Sequence, residues 1–302
     1  PGIYPLTVED PNRNEGVLNM TGSVDTPFAI QSLLVIDPQA GNNNSVQLLN
    51  PATENACLNQ TWIHNPAAHD PDGDVLTYSL VPSRGFGGEF IPTYIYPDAV
   101  SAASDVFSID EATGDVTWNT PQIAGEYNVA IRIQEWREVG GILRKVGEVT
   151  RDLQIDVQLC DNQPPEIAAM GDTCVLAGES LTFNVFASDP DGDGVTLSAV
   201  GGALSEVAHP ATFASVGAGN GVFSWSPECA EVRAQPYQVV FKAQDVGNAI
   251  PLVDLETRQI TVISPPVTQL VVDPVGYDMS VTWQPNECVD DLTNPIQVLG
   301  GY

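Results

Sequence analysis

The stretch GEYNVAIRIQE, residues 125–135, has an apolar side chain at every second position from Tyr127 to Ile133. A period of two is the pattern of a β-strand that buries one face, whereas a helix repeats about every 3.6 residues. The same alternation runs through residues 153–157 and 237–241. The sequence therefore predicts an all-β protein.

This strand belongs to a unit that occurs twice. The loop HDPDGD, residues 69–74, is matched by SDPDGD at 188–193, which lies 119 residues further along. GDVTW at 114–118 is matched in the same way by GVFSW at 221–225. Short strands punctuated by Gly, Pro, Asn and Asp, in units of roughly 100 residues, are typical of immunoglobulin-like β-sandwiches. We therefore expect tandem sandwiches.

Proline-containing joints at 162–165 and 264–266 mark the ends of the units, because stiff extended linkers belong there. The first residues, GIY at 2–4 leading to VED at 8–10, repeat the final portion of a unit. We expect a piece of a longer polypeptide with four parts: the C-terminal strands of a preceding immunoglobulin-like domain (1–40), a first sandwich (41–160), a second sandwich (161–264) and the start of a further domain (265–302).

The charge of the chain is strongly one-sided. Its 302 residues include 39 Asp and Glu against 10 Lys and Arg, a net charge of −29. This charge repels phosphate backbones and argues against a nucleic-acid partner, and no apolar run approaches the roughly 18 residues of a membrane span. So much like charge favours bound cations, and Ca²⁺ prefers oxygen ligands. A merely soluble acidic surface explains the composition equally well.

The two repeated loops place carboxylates at alternate positions of a tight turn, where several oxygens can converge on one cation. An EF-hand is excluded, because Val81 and Val200 stand where its twelfth-position Glu is needed and the flanks are strands. The alternative is a solvated Asp-Gly turn that needs no metal. Two equivalent loops, each followed by an acid in a later strand, favour calcium.

Four strings carry a resemblance to a known family: DGDVLTYSL (72–80), FSID (107–110), TGDV (113–116) and CDNQPP (160–165). With them the chain resembles cadherin-like domains of the type found in dystroglycan and in bacterial surface proteins. The resemblance implies Ca²⁺ at each junction between domains, held by the linker, by the acidic loop and by an acid late in the same domain. The implied ligands are Asn42, Asn44, Asp70, Asp72, Asp74 and Glu135 at one junction, and Asp161, Asn162, Asp189, Asp191, Asp193 and Asp245 at the other. TWNTP (117–121) replaces the acidic-Arg-Glu motif of true cadherins, so about one weakly held ion per junction is implied.

A narrower resemblance rests on VEDPNRN (8–14), HNP (64–66), IQEWR (133–137) and VTRDLQI (149–155). These strings are similar to the giant surface adhesins of gliding bacteria, the gliding motility-associated C-terminal domain protein family. The resemblance implies export across the outer membrane by the type IX secretion machinery to the cell surface. It also implies a glycan or protein ligand that is bound elsewhere in the full protein.

The last segment has its own resemblance. PVTQLVV (266–272) and MSVTWQP (279–285) resemble the opening strands of a fibronectin type III domain. In that family a Trp of the second strand fills the core, a role that Trp283 would take.

Five scattered cysteines, with no C-x-x-C pair, give no zinc-site spacing and indicate long-range disulfides of an exported protein. The first and last strands of such a sandwich often run side by side, so we expect a Cys57–Cys160 bond. Cys174 and Cys229 are expected to pair likewise, which leaves Cys288 for a partner beyond the last residue. Buried free thiols are the alternative.

No catalytic constellation is visible. His64, His69 and His209 have no catalytic spacing, and G-x-S-x-G, H-E-x-x-H, Walker and dinucleotide motifs do not occur. Trp118 and Trp225, at matching repeat positions, are expected in the cores. Four further aromatic residues are expected in packing, with a sugar-stacking platform as the alternative: Trp62, Trp136, Tyr94 and Tyr96.

These observations together predict a non-enzymatic part of an adhesin or surface filament. Calcium at the junctions would lock neighbouring sandwiches at a fixed angle and make the chain an extended, stiff stalk in adhesion or gliding. The alternative is a carbohydrate-binding or spacer region of a secreted multi-domain enzyme.

Overall fold

The computed structural model describes residues 1–51, 53–248, 250–266, 268–275, 278–284 and 288. Within these residues the chain forms 21 β-strands, four short 3-10 helices (Ser23–Asp25, Phe86–Gly88, Pro97–Ala99 and Cys229–Glu231) and one α-helix of four residues. The all-β class predicted from the period of two is confirmed. In the described part of the chain, no helix has the length and hydropathy needed to cross a bilayer.

The chain begins with a hairpin and continues into the first sandwich. The hairpin strands are β1 (Gly2–Asp10) and β2 (Phe28–Ile36). The first sandwich contains β3 (Gln47–Leu48), β4 (Thr53–Cys57), β5 (Trp62–His64), β6 (Ala68–His69), β7 (Val75–Val81), β8 (Phe107–Ile109), β9 (Val116–Trp118), β10 (Gly125–Val139) and β11 (Ile142–Gln158).

One layer of the first sandwich is the sheet β1-β2-β11-β10-β7, in which β4 also pairs with β11 in parallel. The other layer is formed by the sheets β5-β9-β8 and β3-β6. The two layers meet at Trp118 and Tyr127, whose rings pack edge to face with centroids 4.8 Å apart. Ile131 and Ile133 lie beside them and are fully buried, as the alternation of β10 predicts.

The second sandwich repeats this plan. Its elements are β12 (Glu166–Ile167), β13 (Thr173–Leu176), β14 (Leu181–Ser188), β15 (Gly194–Val200), α1 (Gly202–Ser205), β16 (Thr212–Gly217), β17 (Asn220–Trp225), β18 (Tyr237–Val246) and β19 (Val253–Ile263). The layers are β12-β14-β17-β16 and β13-β19-β18-β15. Trp225 packs edge to face on Tyr237 at 5.0 Å, as Trp118 packs on Tyr127 in the first sandwich, so both tryptophans are core residues as predicted.

The N-terminal hairpin is joined to the first sandwich in two ways. Its strand β2 extends the large sheet by pairing Leu33 and Leu34 with Glu148 and Gly147. Residues 11–27, between β1 and β2, then lie across the first sandwich, as the contacts below show. The assignment of residues 1–40 to a preceding domain stays a prediction.

Two buried polar contacts hold residues 11–27. Arg13 forms an ion pair with Asp152 of β11 (Nη2–Oδ2 3.1 Å), with both side chains 2% exposed. Asn19 donates to the carbonyl of Asn128 (2.7 Å) and accepts the backbone N–H of the same residue (3.0 Å). Since Asn128 lies on the outer face of β10, this segment covers part of a face that the alternation alone would expose.

The two sandwiches lie side by side, with β18 along the first sandwich. At one end, Arg233 donates to the carbonyl of Asp70 (3.0 Å) and the ring of Tyr237 stacks on that of His69 with centroids 6.3 Å apart.

Further along the contact, Ala67, Val240 and Leu255 form an apolar cluster, and the Thr257 hydroxyl donates to Asp115 (2.6 Å). Near the other end, side chains of β18 share a cleft with residues of β4 and β11: Lys242 and Gln244 with Asn55, Gln154 and Asp156. The contact follows β18 along most of its length. The two sandwiches therefore contact each other laterally, whereas an extended rod was expected from the sequence.

The structure corrects half of the predicted disulfide pattern. Cys57 and Cys160 are bonded as expected (Cα–Cα 5.7 Å), because parallel β4 and β11 bring them together. Cys229 is bonded to Cys288 (Cα–Cα 4.8 Å), and Cys174 is a free, exposed thiol, so the predicted Cys174–Cys229 bond is wrong. Strands β13 and β19 pair as β4 and β11 do, but the position that corresponds to Cys160, two residues beyond the partner of Cys174, is occupied by Ile263 at the end of β19.

A final hairpin, β20 (Thr268–Val275) and β21 (Asp278–Gln284), follows the second sandwich. Most of the predicted fibronectin-like segment, including the side chain of Trp283, lies outside the described residues, so that assignment stays a prediction.

Candidate metal centres at the two seams

The acidic loops 70–74 and 189–193 have the same backbone geometry. Asp70 Oδ1 accepts the N–H groups of Asp72 and Asp74, both at 2.9 Å. Asp189 Oδ1 accepts those of Asp191 (2.8 Å) and Asp193 (3.2 Å). The glycine between the last two aspartates has a left-handed backbone in each loop, with φ of 78° at residue 73 and 85° at residue 192, a conformation that glycine adopts without strain. In each loop this turn brings one oxygen of each of its three carboxylates within 4.8 Å of the others.

A linker closes over each loop. Asn44 donates from its backbone N–H and from its amide to the two oxygens of Asp72, at 2.7 Å each. Gln163 makes the same pair of bonds to Asp191, at 2.7 and 3.0 Å. We call the set of linker 42–44, loop 70–74 and Glu135 the first seam, and the set of linker 161–163, loop 189–193 and Asp245 the second seam.

The acid from the later strand is buried at each seam. Glu135 of β10 and Asp245 of β18 are each 1% exposed, and each accepts an amide N–H from its linker, from Asn43 and Asn162 respectively. Gly147 stands opposite Glu135 in the sheet, where a Cβ would lie 2.4 Å from the carboxylate. The buried carboxylate of Glu135 therefore fits only because residue 147 has no side chain.

The structure brings most of the predicted ligands together and adds others. Asn42 is exposed and contributes its carbonyl, which accepts an N–H of Arg137 (2.7 Å). Asp161 is exposed beside Asn162. Sequence reasoning missed Gln163 as a linker contact and did not single out Asn43, although the 119-residue offset of the repeat matches Asn44 with Gln163 and Asn43 with Asn162.

One carboxylate oxygen in each seam is buried without a hydrogen-bond partner. These atoms are Asp70 Oδ2 and Asp189 Oδ2, the same atom of the same loop position in the two repeats. Burial, reinforced by the charges of Asp74, Glu135 and Asp72, raises the pKa of Asp70 to about 7. Burial also raises the pKa of Glu135.

A buried oxygen with no donor, among three other carboxylates, lacks a positive charge that would stabilise it. The donor set at each seam is carboxylate, amide and carbonyl oxygen, which suits a hard cation such as Ca²⁺. The oxygen donors at both seams are therefore of the type that suits the implied metal.

The seams differ in one basic residue. Arg137, two residues beyond Glu135 on β10, donates to both oxygens of Asp74 (Nε–Oδ1 2.7 Å, Nη2–Oδ2 2.6 Å) and to Asp72 (2.9 Å). The string Glu135-Trp136-Arg137 could have indicated this contact, because Arg137 points to the same side of the strand as Glu135.

His69, next to the first loop, is neither solvated nor placed as a base. It is 5% exposed and stacks on Tyr237 of the second sandwich. Burial, with the charge of Arg233, lowers the pKa of His69 to about 4, so the ring is neutral. Its role is packing between the sandwiches.

No family model and no curated protein matches the chain. Among solved structures, Drosophila N-cadherin EC1-3 is 12% identical with a TM-score of 0.26, over 84% of this chain and 80% of that one. The sialic acid binding region of the Streptococcus sanguinis SK1 adhesin is 10% identical with a TM-score of 0.28, over 74% and 78%. Tandem Ig repeats of Dlar are 10% identical with a TM-score of 0.29, over 73% and 98%. At these values the likeness says nothing about function, and the fold of tandem immunoglobulin-like sandwiches rests on the strand pairing described above.

Proposed function

We propose that this chain is a non-enzymatic, calcium-binding structural segment of an extracellular adhesion protein. The observation that carries the proposal is the duplication of one oxygen-rich site. Both sandwiches contain the same four features at equivalent positions: a linker amide, an acidic turn, a buried acid from a later strand and a carboxylate oxygen without a hydrogen-bond partner. A merely soluble acidic surface needs no buried carboxylate oxygen without a hydrogen-bond partner.

The side-by-side packing of the sandwiches changes the mechanical role that the sequence suggested. A calcium ion at a seam would fasten a linker to the sandwich that follows it and fix the path of the chain between units. The sandwich pair would act as one stiff block within a longer stalk, since aromatic and apolar contacts already join its two halves.

We further propose that the protein lies on the surface of a gliding bacterium after export by the type IX machinery. Two of the strings that resemble that family touch each other through the Arg13–Asp152 ion pair. Two disulfides are compatible with an oxidising, extracellular environment. The adhesive ligand, a glycan or a protein, is proposed to bind elsewhere in the full protein.

The carbohydrate-binding alternative has less support. Trp62 is 3% exposed within the first core, so its ring offers no open face to a sugar, and Tyr94 is partly buried against Val17, Met20 and Ile91.

The test of the proposal is thermal unfolding of the 302-residue chain in CaCl₂ and in EGTA, with MgCl₂ as the control cation. About 10 mM Ca²⁺, roughly 100-fold above a dissociation constant of about 10⁻⁴ M, should stabilise the chain by about 2.7 kcal/mol per site. Identical unfolding curves in calcium and EGTA would remove calcium from the function.

A further inference from the structure

At the first seam, Arg137 makes contacts with the linker as well as with the acidic loop. Its Nη1 donates to the carbonyls of Ala40 (3.0 Å) and Asn42 (2.7 Å), and its Nη2 donates to Asn43 Oδ1 (3.0 Å). The guanidinium thus uses donors on all three nitrogens to join linker 40–43 to Asp72 and Asp74 of the loop.

These contacts are the ones that a bound cation would make at a seam. A cation at this place has to neutralise the loop carboxylates and draw the linker oxygens toward them. The two-pronged bond of Arg137 to Asp74 is charge-assisted and planar, the arrangement in which an Arg–carboxylate pair is strongest. The bonds to Asp74 raise the pKa of the guanidinium further, so it stays charged.

The second seam has no side chain at the equivalent position. The position two residues beyond Asp245, equivalent to Arg137, is Gly247. The neighbouring Asn248 donates a neutral amide to Asp193 (2.9 Å) in place of a charge.

We propose that Arg137 is the built-in counter-ion of the first seam, which closes without a metal, so that calcium binding is confined to the second seam. Only the second claim, that calcium binds at the second seam, rests on the proposed function. One ligand atom at the first seam, Asp70 Oδ2, is not reached by Arg137. The number of ions bound by the wild-type chain therefore decides between an arginine and a metal at this seam.

The experiment is calcium titration of the 302-residue chain by calorimetry, with the number of ions bound as the readout. The expected result is one ion per wild-type chain, lost in Asp191→Asn and kept in Asp72→Asn. Arg137→Gln should bind two ions, and the second should be lost again in the Arg137→Gln/Asp72→Asn double variant. Arg144→Gln is the matched control, since Arg144 lies on the same hairpin and pairs with Asp37 outside the loop (3.1 Å).

Two ions in the wild type, one of them lost in Asp72→Asn, would overturn the inference and leave the proposed calcium function standing. No bound ion in the wild type would overturn both. If Arg137→Gln does not fold, the wild type, Asp72→Asn and Asp191→Asn still decide the result.

Discussion

Gly202 of the second sandwich stands so close to His69 of the first that a Cβ on Gly202 would lie 2.0 Å from His69 Nδ1. The ring of His69 has little room to withdraw, because it is 5% exposed and stacked on Tyr237. A glycine at the start of α1 therefore sets how closely the two sandwiches approach at this end of their contact.

Replacement of Gly202 by Ala should push the sandwiches apart at this end. Overpacking of a closely fitted contact costs about 1–3 kcal/mol, and the variant should have a larger radius of gyration in small-angle scattering. Gly171→Ala is the control, since a Cβ at Gly171 meets nothing within 4 Å. Equal stability and equal scattering of the two variants would contradict the side-by-side packing.

Local pattern was enough to predict the strands and the repeated loops. The alternation in β10 and the DPDGD turn depend on residues close together in sequence, and the match of GDVTW (114–118) with GVFSW (221–225) placed Trp118 and Trp225 in equivalent cores. The Cys57–Cys160 bond was predictable for a related reason, because it follows from the neighbouring first and last strands of one sandwich.

Contacts between distant parts of the chain were not predictable in this way. Val240 lies on the outer face of β18, between Gln238 and Lys242, and one apolar residue on that face does not identify Ala67 as its partner. The Cys229–Cys288 bond likewise joins the second sandwich to a residue beyond the predicted domain boundary. The sequence did not identify Asp74 as the partner of Arg137, because the two residues are 63 positions apart.

The Arg13–Asp152 pair gives a test of how residues 11–27 are held. Arg13→Met would leave Asp152 buried without its positive partner, which costs about 3–5 kcal/mol in urea unfolding. The double variant Arg13→Met/Asp152→Leu should recover part of this loss, since no buried charge remains. Arg144→Met removes a more exposed pair and should cost about 0–1 kcal/mol. An Arg13→Met variant no less stable than Arg144→Met would mean that the segment is not anchored there.

The cysteines can be tested by peptide mapping of the oxidised chain. Iodoacetamide should label Cys174 alone, since the other four are in bonds. Cys229→Ser should lower the free energy of unfolding by about 4 kcal/mol, because its bond closes a loop of 59 residues, whereas Cys174→Ser should be nearly neutral. A peptide that links Cys174 to Cys229 would contradict the observed pairing.

Substitution of Asp189 tests calcium binding at the second seam separately from the formation of the turn. In Asp189→Asn the side-chain oxygen that accepts the N–H groups of Asp191 and Asp193 can be kept, while the buried, partnerless Oδ2 loses its charge. Calcium affinity should then fall by roughly tenfold or more, because affinity follows the number of charged ligands. Stability in EGTA should be close to that of the wild type.

Asp110 supplies the matched control for this substitution. Its Oδ1 accepts the N–H groups of Ala112 and Thr113, both at 2.8 Å, in a turn that lies outside both seams. Asp110→Asn removes a carboxylate charge from a turn of the same kind as Asp189→Asn does. It should therefore leave the calcium titration unchanged. If the two variants shift the titration by the same amount, the carboxylate of Asp189 is not a calcium ligand.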